Sequence, residues 1–363
     1  MSVPHVDPAL YDAQLQSKAE RTQAQFSRFS PPALDVFASA KTHYRMRAEF
    51  RTWHEEDDLF YAMFEPGNNK QPIRIDQCPM VSARIESVMF DLLDAIRPVH
   101  ELRHRLFQVD FLSTLSGELL VSLLYHRKIG DQWREAVAPL RDLFGIDIVG
   151  RSRKNKIILN RDFVTEQLLI GDKTYSYQQI ENSFTQPNAE VCRKMIEWAV
   201  DVTRAEKQTD LIEFYCGNGN FTLPLAQNFR RVVATEISKT SVAAARKNIE
   251  DNGIANIDIL RMPSEDLVQV LRGEKQTRKV EGLNLEACDF TTVFVDPPRS
   301  GLDDATVLQV QEYDRILYIS CNPDTLEQNL ETLVQTHRIE RFALFDQFPY
   351  TEHRECGVYL VRR

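Results

Sequence analysis

The second half of the chain alternates short apolar runs with longer amphipathic segments. Runs such as Asp210–Tyr215 and Arg315–Ser320 are rich in β-branched and aromatic residues and predict buried strands, whereas Lys239–Asn252 has the spacing of a helix. Seven such strands, with helices between most of them, predict a mostly parallel, doubly wound α/β sheet. The last two strands are separated only by a loop, so one of them should run antiparallel.

The first half has a different pattern, with several strands and few helices. Between residues 41 and 64 apolar and polar residues alternate, which predicts a half-buried strand with Arg45, Arg47 and Arg51 on its polar face. Further strand-like runs, with helices near Asp7–Phe26 and Ser82–Ala95, favour a β-rich α+β domain. We therefore expect an N-terminal domain over residues 1–178 and a catalytic domain over residues 179–363.

Charge separates the two halves further. The 363 residues carry a net charge of −9, of which −1 falls in residues 1–180 and −8 in residues 181–363. The acidic net charge argues against a generic nucleic-acid binder. If the protein binds a polyanion, we expect binding to the first half, where basic residues cluster locally. Solvated surface is the alternative interpretation of these clusters. They comprise Lys41, Arg45, Arg47 and Arg51; Arg97, Arg103 and Arg105; and Arg151, Arg153, Lys154 and Lys156.

Cysteine usage and hydropathy exclude several classes of protein. The six cysteines form no C-x-x-C pair, which argues against a disulfide scaffold, a zinc ribbon or an iron–sulfur cluster and suits a reducing cytoplasm. No secretory signal or membrane-spanning run is visible, so we expect a cytoplasmic protein. His100–His104 fits the H-E-x-x-H zinc pattern, but it follows Pro98 closely and no third ligand is evident, so we expect no metal.

The segment after the strand Arg315–Ser320 is the first that indicates chemistry. Asn322 is a suitable N-cap and Pro323 suits the first helical position, so Cys321 should lie between a strand end and a helix N-terminus. The helix dipole would lower the pKa of a thiol there, as a nucleophile requires. A buried structural cysteine is the alternative.

Two loops of the same half predict a nucleoside cofactor. Glycines at 217 and 219 follow the first strand and allow a tight turn against a ligand, but the third glycine of a dinucleotide fingerprint is replaced by Thr222. Glu236 follows the second strand, where a carboxylate can accept both ribose hydroxyls. An adenosine cofactor without a diphosphate fits best, which favours S-adenosylmethionine over a generic nucleotide.

The loop Asp296–Leu302 and the C-terminal region suggest methylation of carbon. An acid-Pro-Pro loop in this position is common in methyltransferases, and Arg299 stands where enzymes that methylate amino groups have an aromatic residue. Carbon C5 of a pyrimidine becomes nucleophilic when a thiolate adds to C6, and Cys321 is placed for that addition. A base must then remove the C5 proton. Glu352, His353 and Glu355 are candidates that the chemistry alone does not separate.

These residues resemble the RNA 5-methyluridine methyltransferases, and the full chain is similar to their bacterial tRNA-modifying members. The matching segments are Phe184–Asn188, Phe214–Gly219, Asp296–Gly301, Ser320–Pro323 and Thr351–Glu355. The resemblance implies a class I, Rossmann-like methyltransferase fold with an N-terminal RNA-binding domain. It also implies S-adenosylmethionine as cofactor and the T-loop uridine of tRNA as target, position 54 in standard tRNA numbering. We extend this expectation to a T-loop-like site in tmRNA and to a monomer.

The resemblance also assigns roles to residues. Cys321 is implied to be the nucleophile and Glu355 the proton acceptor. Methyl-donor contacts are implied or expected at Gln186, Tyr215, Gly217, Gly219, Asn220, Glu236 and Asp296. RNA contacts are expected at Arg299, Phe184, Arg45, Arg47 and Arg51.

Three alternatives stay open beside this interpretation. The related rRNA enzymes carry an N-terminal iron–sulfur cluster, and only Cys78 precedes residue 190 here. The cytosine-modifying enzymes carry a second cysteine in the proline-rich loop, which this chain lacks. The third alternative is a tRNA-folding factor whose methylation is incidental.

Overall fold

The structure, a computed structural model, describes residues 6–65 and 67–363 and divides into two compact units. The first unit comprises Ala40–Gln167 and Gln178–Ala189 with the start of the chain, and the second comprises Ala9–Ser39, Leu168–Tyr177 and Glu190–Arg363. Residues 1–5 of the expected N-terminal domain lie outside the described residues. The compact units are interleaved along the chain, and the domain boundary between residues 178 and 179 remains a prediction.

The secondary structure elements follow one another in chain order. The α-helices are α1 (Tyr11–Phe26), α2 (Ala83–Ile96), α3 (His100–Arg103), α4 (Asp131–Phe144), α5 (Ala189–Val202), α6 (Thr222–Leu225), α7 (Lys239–Asp251), α8 (Ser264–Leu271), α9 (Asp304–Val310) and α10 (Pro323–Leu333). The strands are β1 (Leu34–Phe37), β2 (Arg47–Glu55), β3 (Asp58–Glu65), β4 (Asn68–Arg74), β5 (Leu106–Ser113), β6 (Leu119–Tyr125), β7 (Asp147–Ser152), β8 (Asn155–Ile158), β9 (Phe163–Ile170), β10 (Lys173–Ile180), β11 (Asp210–Phe214), β12 (Arg231–Glu236), β13 (Ile257–Arg261), β14 (Phe290–Val295), β15 (Arg315–Ser320), β16 (His337–Phe345) and β17 (Glu355–Arg362).

The first unit is built on a sheet whose strand order, within the described residues, is β4-β3-β2-β5-β6-β7-β8. The predicted alternation in β2 is confirmed: Ala48 and Phe50 are buried, and Glu49 and Arg51 face solvent. Helix α4 was not predicted. It is required because β6 and β7 are parallel neighbours, and a parallel pair needs a long crossover connection. Trp133 of α4 is fully buried in the core beneath the sheet.

The second unit confirms the predicted α/β sheet and enlarges it. Its strand order is β1-β16-β17-β15-β14-β11-β12-β13, eight strands within the described residues instead of the predicted seven. The extra edge strand is β1, which pairs in parallel with β16 and stacks Phe37 on Phe345 at a centroid distance of 4.9 Å. The strand β17 is antiparallel to both of its neighbours, as the short connection before it predicts.

Helices cover both faces of this sheet, which explains why its central strands are apolar throughout. Five of the six residues of β15 are buried, and the same holds for most residues of β11 and β14. Among the described residues, no helix is both long and apolar enough to cross a bilayer.

Candidate active site

Four parallel strands of the second unit end along one edge of the sheet. Phe214 is in register with both Thr235 and Val295, and Val295 is in register with Tyr318. Residues that follow these strands therefore meet at the same edge, where open α/β sheets bind ligands. Those residues are Tyr215, Asp296 and Cys321, and Glu236 lies at the same edge as the last residue of β12.

The antiparallel strand β17 brings Glu355 to the same edge. Ser320, the last residue of β15, pairs with Cys356 of β17, so the next residue, Cys321, and Glu355, the first residue of β17, both lie at this end of the strand pair. Glu355 is 2% exposed, and Cys321 is partly buried. The register thus places the expected nucleophile beside the expected base.

The loop around Cys321 has the predicted capping geometry. The Asn322 side chain accepts a hydrogen bond from the Asp324 N–H at 3.2 Å, and Pro323 is the first residue of α10. The Ser320 hydroxyl accepts from the Asn322 N–H at 3.2 Å on the other side of the cysteine. Cys321 is therefore held in a fixed turn between the end of β15 and the start of α10.

The expected lowering of the Cys321 pKa is wrong. Burial, followed by the nearby carboxyl groups of Glu355 and Asp296, raises the pKa of the thiol to about 11. The Arg299 guanidinium opposes this rise but does not overcome it. Desolvation and the two acids dominate, so the thiol is protonated near neutral pH.

This shift predicts how Cys321 reacts with iodoacetamide. Alkylation of wild-type Cys321 should be slow at pH 8 and accelerate up to about pH 11, because only the thiolate reacts. Glu355→Gln should lower the thiol pKa, and each unit of decrease raises the thiolate population about tenfold. Peptide mapping after timed alkylation measures the rate, with exposed Glu352→Gln as the matched control. Equal rates in the two variants would contradict the electrostatic coupling.

Glu355 is distinguished from the other two candidate bases by its surroundings. Burial, followed by the charge of Asp296, raises its pKa well above the ordinary carboxyl value. The pKa of Asp296 itself rises to about 7 through burial. Glu352 is instead exposed and paired with Arg21, which lowers its pKa. His353 is partly exposed, and burial, followed by the charge of Arg299, lowers its pKa.

The proline-rich loop after β14 is attached to the helix that follows Cys321. The Arg299 carbonyl accepts a hydrogen bond from the Asn322 side chain at 3.0 Å, while the Arg299 side chain is exposed. Asn329 of α10 exchanges two hydrogen bonds with the backbone of Leu302, at 3.0 and 3.1 Å. Gly301 has a φ of 75°, and a Cβ there would lie 2.7 Å from the Cβ of Thr325. The proline-rich loop is therefore packed against the start of α10, the helix that follows Cys321.

The glycine loop after β11 is shaped around Glu236. The Glu236 carboxylate accepts hydrogen bonds from the Gly217 N–H at 3.1 Å and the Ser238 N–H at 2.7 Å. Gly217 has a φ of 56°, and a Cβ added there would meet only open space. Gly219, at a φ of 83°, packs too closely against Leu223 to carry a side chain. Asn220 is engaged within the protein, where its side chain donates to the Cys192 sulfur at 3.1 Å.

A cavity of about 460 Å³ lies directly beyond Glu236. The apolar residues around it include Ile237, Met262 and Pro263, and Ile237 is 67% exposed. Sequence reasoning did not identify this cavity. In the sequence, the position of Met262 and Pro263 immediately after β13, the strand next to β12, could have indicated the cavity.

The RNA contacts expected at Arg45, which precedes β2, and at Arg47 and Arg51 of β2 are only partly available. Burial lowers the pKa of Arg45, and its Nε donates to the Arg47 carbonyl at 2.8 Å. Arg47 donates in turn to the Ser183 carbonyl. Arg51 alone of the three is classed as exposed, and Phe184, also in the first unit, is 78% exposed. Gln186 belongs to the first unit, so its contact with a methyl donor remains a prediction.

Sequence reasoning missed an aromatic group next to Arg51. The Arg51 guanidinium lies 5.4 Å from the ring centroid of Phe64 and 5.5 Å from that of Phe107. Phe107 stacks on His126 at 4.0 Å with an interplanar angle of 22°. The four residues come from β2, β3, β5 and the position directly after β6, so only the sheet pairing brings them together. Stacked rings beside a guanidinium can bind unpaired bases.

The H-E-x-x-H segment does not form a metal site in the part of the chain described. His100 and His104 stack on each other at 5.0 Å, and Glu101 pairs with Arg127 at 2.6 Å. The helix there is only four residues long. No group of three or more potential metal ligands occurs among residues 6–65 and 67–363.

Comparison with known proteins supports one assignment. Residues 10–363 match the family model described as tRNA (Uracil-5-)-methyltransferase. The chain is 56% identical to the tRNA/tmRNA (uracil-C(5))-methyltransferase of Chromohalobacter salexigens, covering 100% of this chain and 98% of the relative. It is 55% identical, over the full length of both chains, to the protein of the same name from a Shewanella species.

A solved structure shares the fold. The Pyrococcus abyssi tRNA (uracil-54, C5)-methyltransferase, in complex with S-adenosyl-L-homocysteine, superposes with a TM-score of 0.71 at 20% identity. The match covers 97% of this chain and 83% of the archaeal one. The match of residues 10–363 to the family model and the 56% identity to a full-length relative show that the chain is a methyltransferase that belongs to the tRNA (uracil-5-)-methyltransferase family.

Proposed function

We propose that this protein methylates C5 of the T-loop uridine of tRNA, uridine 54, and a T-loop-like uridine of tmRNA, through a covalent bond between Cys321 and C6. The observation that carries the proposal is the pairing of Ser320 with Cys356, which brings the neighbouring Cys321 and Glu355 to the same edge of the sheet. The names of the full-length relatives supply the RNA class. Such an enzyme meets its substrates in the cytoplasm.

The residues around Glu236 fit S-adenosylmethionine. A carboxylate fixed by two backbone N–H groups can accept the ribose hydroxyls of an adenosine, and the open space at Gly217 leaves room for the ligand next to it. The adjoining cavity is lined partly by apolar residues, which suit a flat base, and partly by Arg246, Arg261 and Lys279. When bound, S-adenosylmethionine supplies an electrophilic methyl group.

Glu236→Ala should weaken S-adenosylmethionine binding by roughly 1–3 kcal/mol, the cost of leaving buried polar partners unpaired. Isothermal calorimetry with the purified protein measures this change. Glu250→Ala, an exposed acid on α7, is the matched control and should bind normally. Unchanged affinity in Glu236→Ala would count against this carboxylate as the ribose acceptor.

Cys321 begins the reaction by adding to the pyrimidine ring. After the thiol proton has passed to solvent, the Cys321 thiolate forms a bond to C6. The electrons of the C5–C6 double bond then shift toward O4, which makes C5 enolate-like and nucleophilic. The raised thiol pKa makes the thiolate a stronger nucleophile once its proton has left. Arg299, exposed beside the site, is proposed to contact the RNA.

Glu355 completes the reaction after C5 has gained its methyl group. Its carboxylate takes the C5 proton, the C5–C6 double bond re-forms and the bond between Cys321 and C6 breaks. Burial next to Asp296 raises the pKa of Glu355, which makes it a stronger base in its ionised form than the exposed Glu352. The two residues therefore act at opposite ends of one covalent intermediate.

The first unit is proposed to hold the RNA through Arg51, Phe107, His126 and Phe184. T-loop uridines are stacked within a folded RNA, so the target base must leave its stack. The exposed ring of Phe184 and the stacked pair of Phe107 and His126 can take the place of its neighbours. Gln186, two residues after Phe184, is proposed to contact the methyl donor. The other basic clusters are partly neutralised, since Arg151 and Lys156 both pair with Glu181.

Binding of tRNA should weaken with salt, because cationic side chains displace counterions from phosphates. Arg51→Ala should reduce the magnitude of the log–log salt slope by about 1. Fluorescence titrations over a range of salt concentrations measure the slope, with Arg338→Ala, an exposed arginine of β16, as the control. A wild-type slope near zero would contradict phosphate contacts altogether.

The reaction is tested by incubating the protein with unmodified tRNA and labelled S-adenosylmethionine. Nuclease digestion should yield labelled 5-methyluridine, which mapping should place at position 54. The same assay on a tRNA with cytidine at that position should give no label. Label in 5-methylcytidine, or transfer only to rRNA, would overturn the proposal.

A further inference from the structure

One face of helix α1 follows the loop that leads into Glu355. Gln14, Lys18, Thr22 and Gln25 recur at intervals of three or four residues, so they lie along one side of the helix. The loop comprises residues 346–354, between β16 and β17. All of these residues belong to the second unit.

The loop begins at a buried ion pair with α1. The Lys18 ammonium donates to the Asp346 carboxylate at 2.7 Å and to the Phe348 carbonyl at 2.8 Å. Lys18 is 2% exposed and Asp346 is 1% exposed. Desolvation lowers the pKa of Lys18, and Asp346 opposes that change. Because burying two charges costs desolvation energy, this ion pair is better suited to fixing the position of the loop than to stabilising the protein.

The loop remains attached to α1 up to the residue before Glu355. The Tyr350 N–H donates to the Gln14 side-chain oxygen at 2.7 Å. The Arg354 guanidinium donates to the Thr22 hydroxyl at 3.2 Å and to the Gln25 side-chain oxygen at 2.7 Å. Arg354 is 8% exposed, so these contacts are largely shielded from water.

The amide group of Gln25 also contacts the helix that follows Cys321. Its nitrogen donates to the Asp324 carboxylate and to the Glu327 carboxylate, both at 2.9 Å. Asp324 and Glu327 lie in the first two turns of α10. One side chain therefore joins the residue before Glu355 to the residues just after Cys321.

We infer that Gln25 is a positioning residue that holds the base loop and the nucleophile helix at a fixed separation. The inference rests on the proposed function, since it needs Cys321 and Glu355 to act on one adduct. Proton removal from C5 requires the Glu355 carboxylate to stay within reach while the Cys321–C6 bond is intact. Loosening the link should impair this step most, because addition uses Cys321 alone.

Gln25→Met tests the inference, because it keeps the length of the side chain and removes its hydrogen bonds. Gln23→Met, the same substitution at an exposed position of the same helix, is the matched control. Each protein is mixed with uridine-containing tRNA and labelled S-adenosylmethionine, and the methylated, denaturation-resistant protein–RNA complex is quantified over time. Gln25→Met should accumulate this complex at least tenfold above wild type and Gln23→Met, and 5-methyluridine release should slow correspondingly.

Complex formation with 5-fluorouridine tRNA is measured alongside, because it reports addition and methyl transfer without proton removal. Gln25→Met should form this complex at a rate within about threefold of wild type. A purely structural role would instead reduce the active fraction in both assays equally, with no enrichment of complex on uridine tRNA. That result would overturn the inference.

A second variant covers the case in which Gln25→Met does not fold. Gln25→Glu keeps an acceptor for Arg354 but places a negative charge against Asp324 and Glu327, so it should also accumulate the methylated complex. Release at the wild-type rate in that variant would equally overturn the inference. Failure of wild type to form any complex with 5-fluorouridine tRNA would instead overturn the proposed function.

Discussion

A Glu355→Gln variant is expected to remain covalently joined to its RNA after methyl transfer. Glutamine keeps the size and hydrogen bonding of the side chain but cannot take the C5 proton. Cys321 can still add to C6 and C5 can still gain its methyl group, but the double bond cannot re-form. A positioned base contributes roughly 100- to 10,000-fold, so release should slow by that factor.

Denaturing gel electrophoresis with labelled methyl donor measures this effect directly. A labelled band at the combined mass of protein and tRNA should appear in Glu355→Gln with ordinary uridine RNA. Glu352→Gln is the control, because Glu352 is exposed and lies three residues earlier on the same loop. If Glu355→Gln turns over normally and Glu352→Gln stalls as a covalent complex, Glu352 is the base.

Cys321→Ala is expected to abolish both methylation and the covalent complex. Without the thiolate, C5 of uridine stays a poor nucleophile, and removal of a covalent nucleophile costs on the order of a million-fold in other enzymes. The variant should therefore be inactive within detection while still binding tRNA. Cys288→Ala removes another partly exposed thiol of the second unit and is the control.

Nucleoside analysis and gel shift separate these outcomes for Cys321→Ala. Residual 5-methyluridine formation would show that the addition uses another group. Binding of tRNA that is lost together with activity would point to misfolding, so circular dichroism and a binding titration accompany the assay. Binding at wild-type affinity with no methylation is the expected combination.

The sequence was sufficient to predict the edge of the sheet on which the site lies. Alternating β/α periodicity determines a parallel sheet, and parallel strands bring their carboxyl ends together, so Glu236, Asp296 and Cys321 could be grouped without coordinates. The order of strands required the structure. The edge strand β1 was missed because its four residues gain their apolar environment from β16, some 300 positions later in the chain.

The electrostatics of the site could not be predicted from local sequence. The helix that follows Cys321 suggested a lowered thiol pKa, but the acids that raise it are 25 positions before and 34 positions after the cysteine in the chain, at Asp296 and Glu355. The positions of these two acids in the fold determine that the thiol pKa is raised and not lowered. The same holds for Gln25, which is an ordinary polar residue of a surface helix until α1 is placed against α10.

The RNA-facing residues were predicted least well. Alternation correctly placed Arg47 and Arg51 on one face of β2, whereas Arg45 precedes the strand and forms an isolated bridge with Val81. The alternation could not show that Arg45 and Arg47 donate hydrogen bonds to backbone carbonyls, or that β5 would bring Phe107 beside Arg51. Charge patterns identify the half of the chain that meets a polyanion, whereas the individual contacts depend on strand pairing.

The covalent step is the central claim, and peptide mapping of a trapped complex tests it most directly. Wild-type protein is incubated with labelled S-adenosylmethionine and a tRNA T-arm that carries 5-fluorouridine at position 54, where fluorine replaces the proton that must leave. After denaturation and digestion, mass spectrometry should find one modified peptide, with Cys321 joined to a nucleoside that contains both fluorine and the transferred methyl group. A cross-link at another residue, or a methylated nucleoside with no bond to protein, would contradict the account.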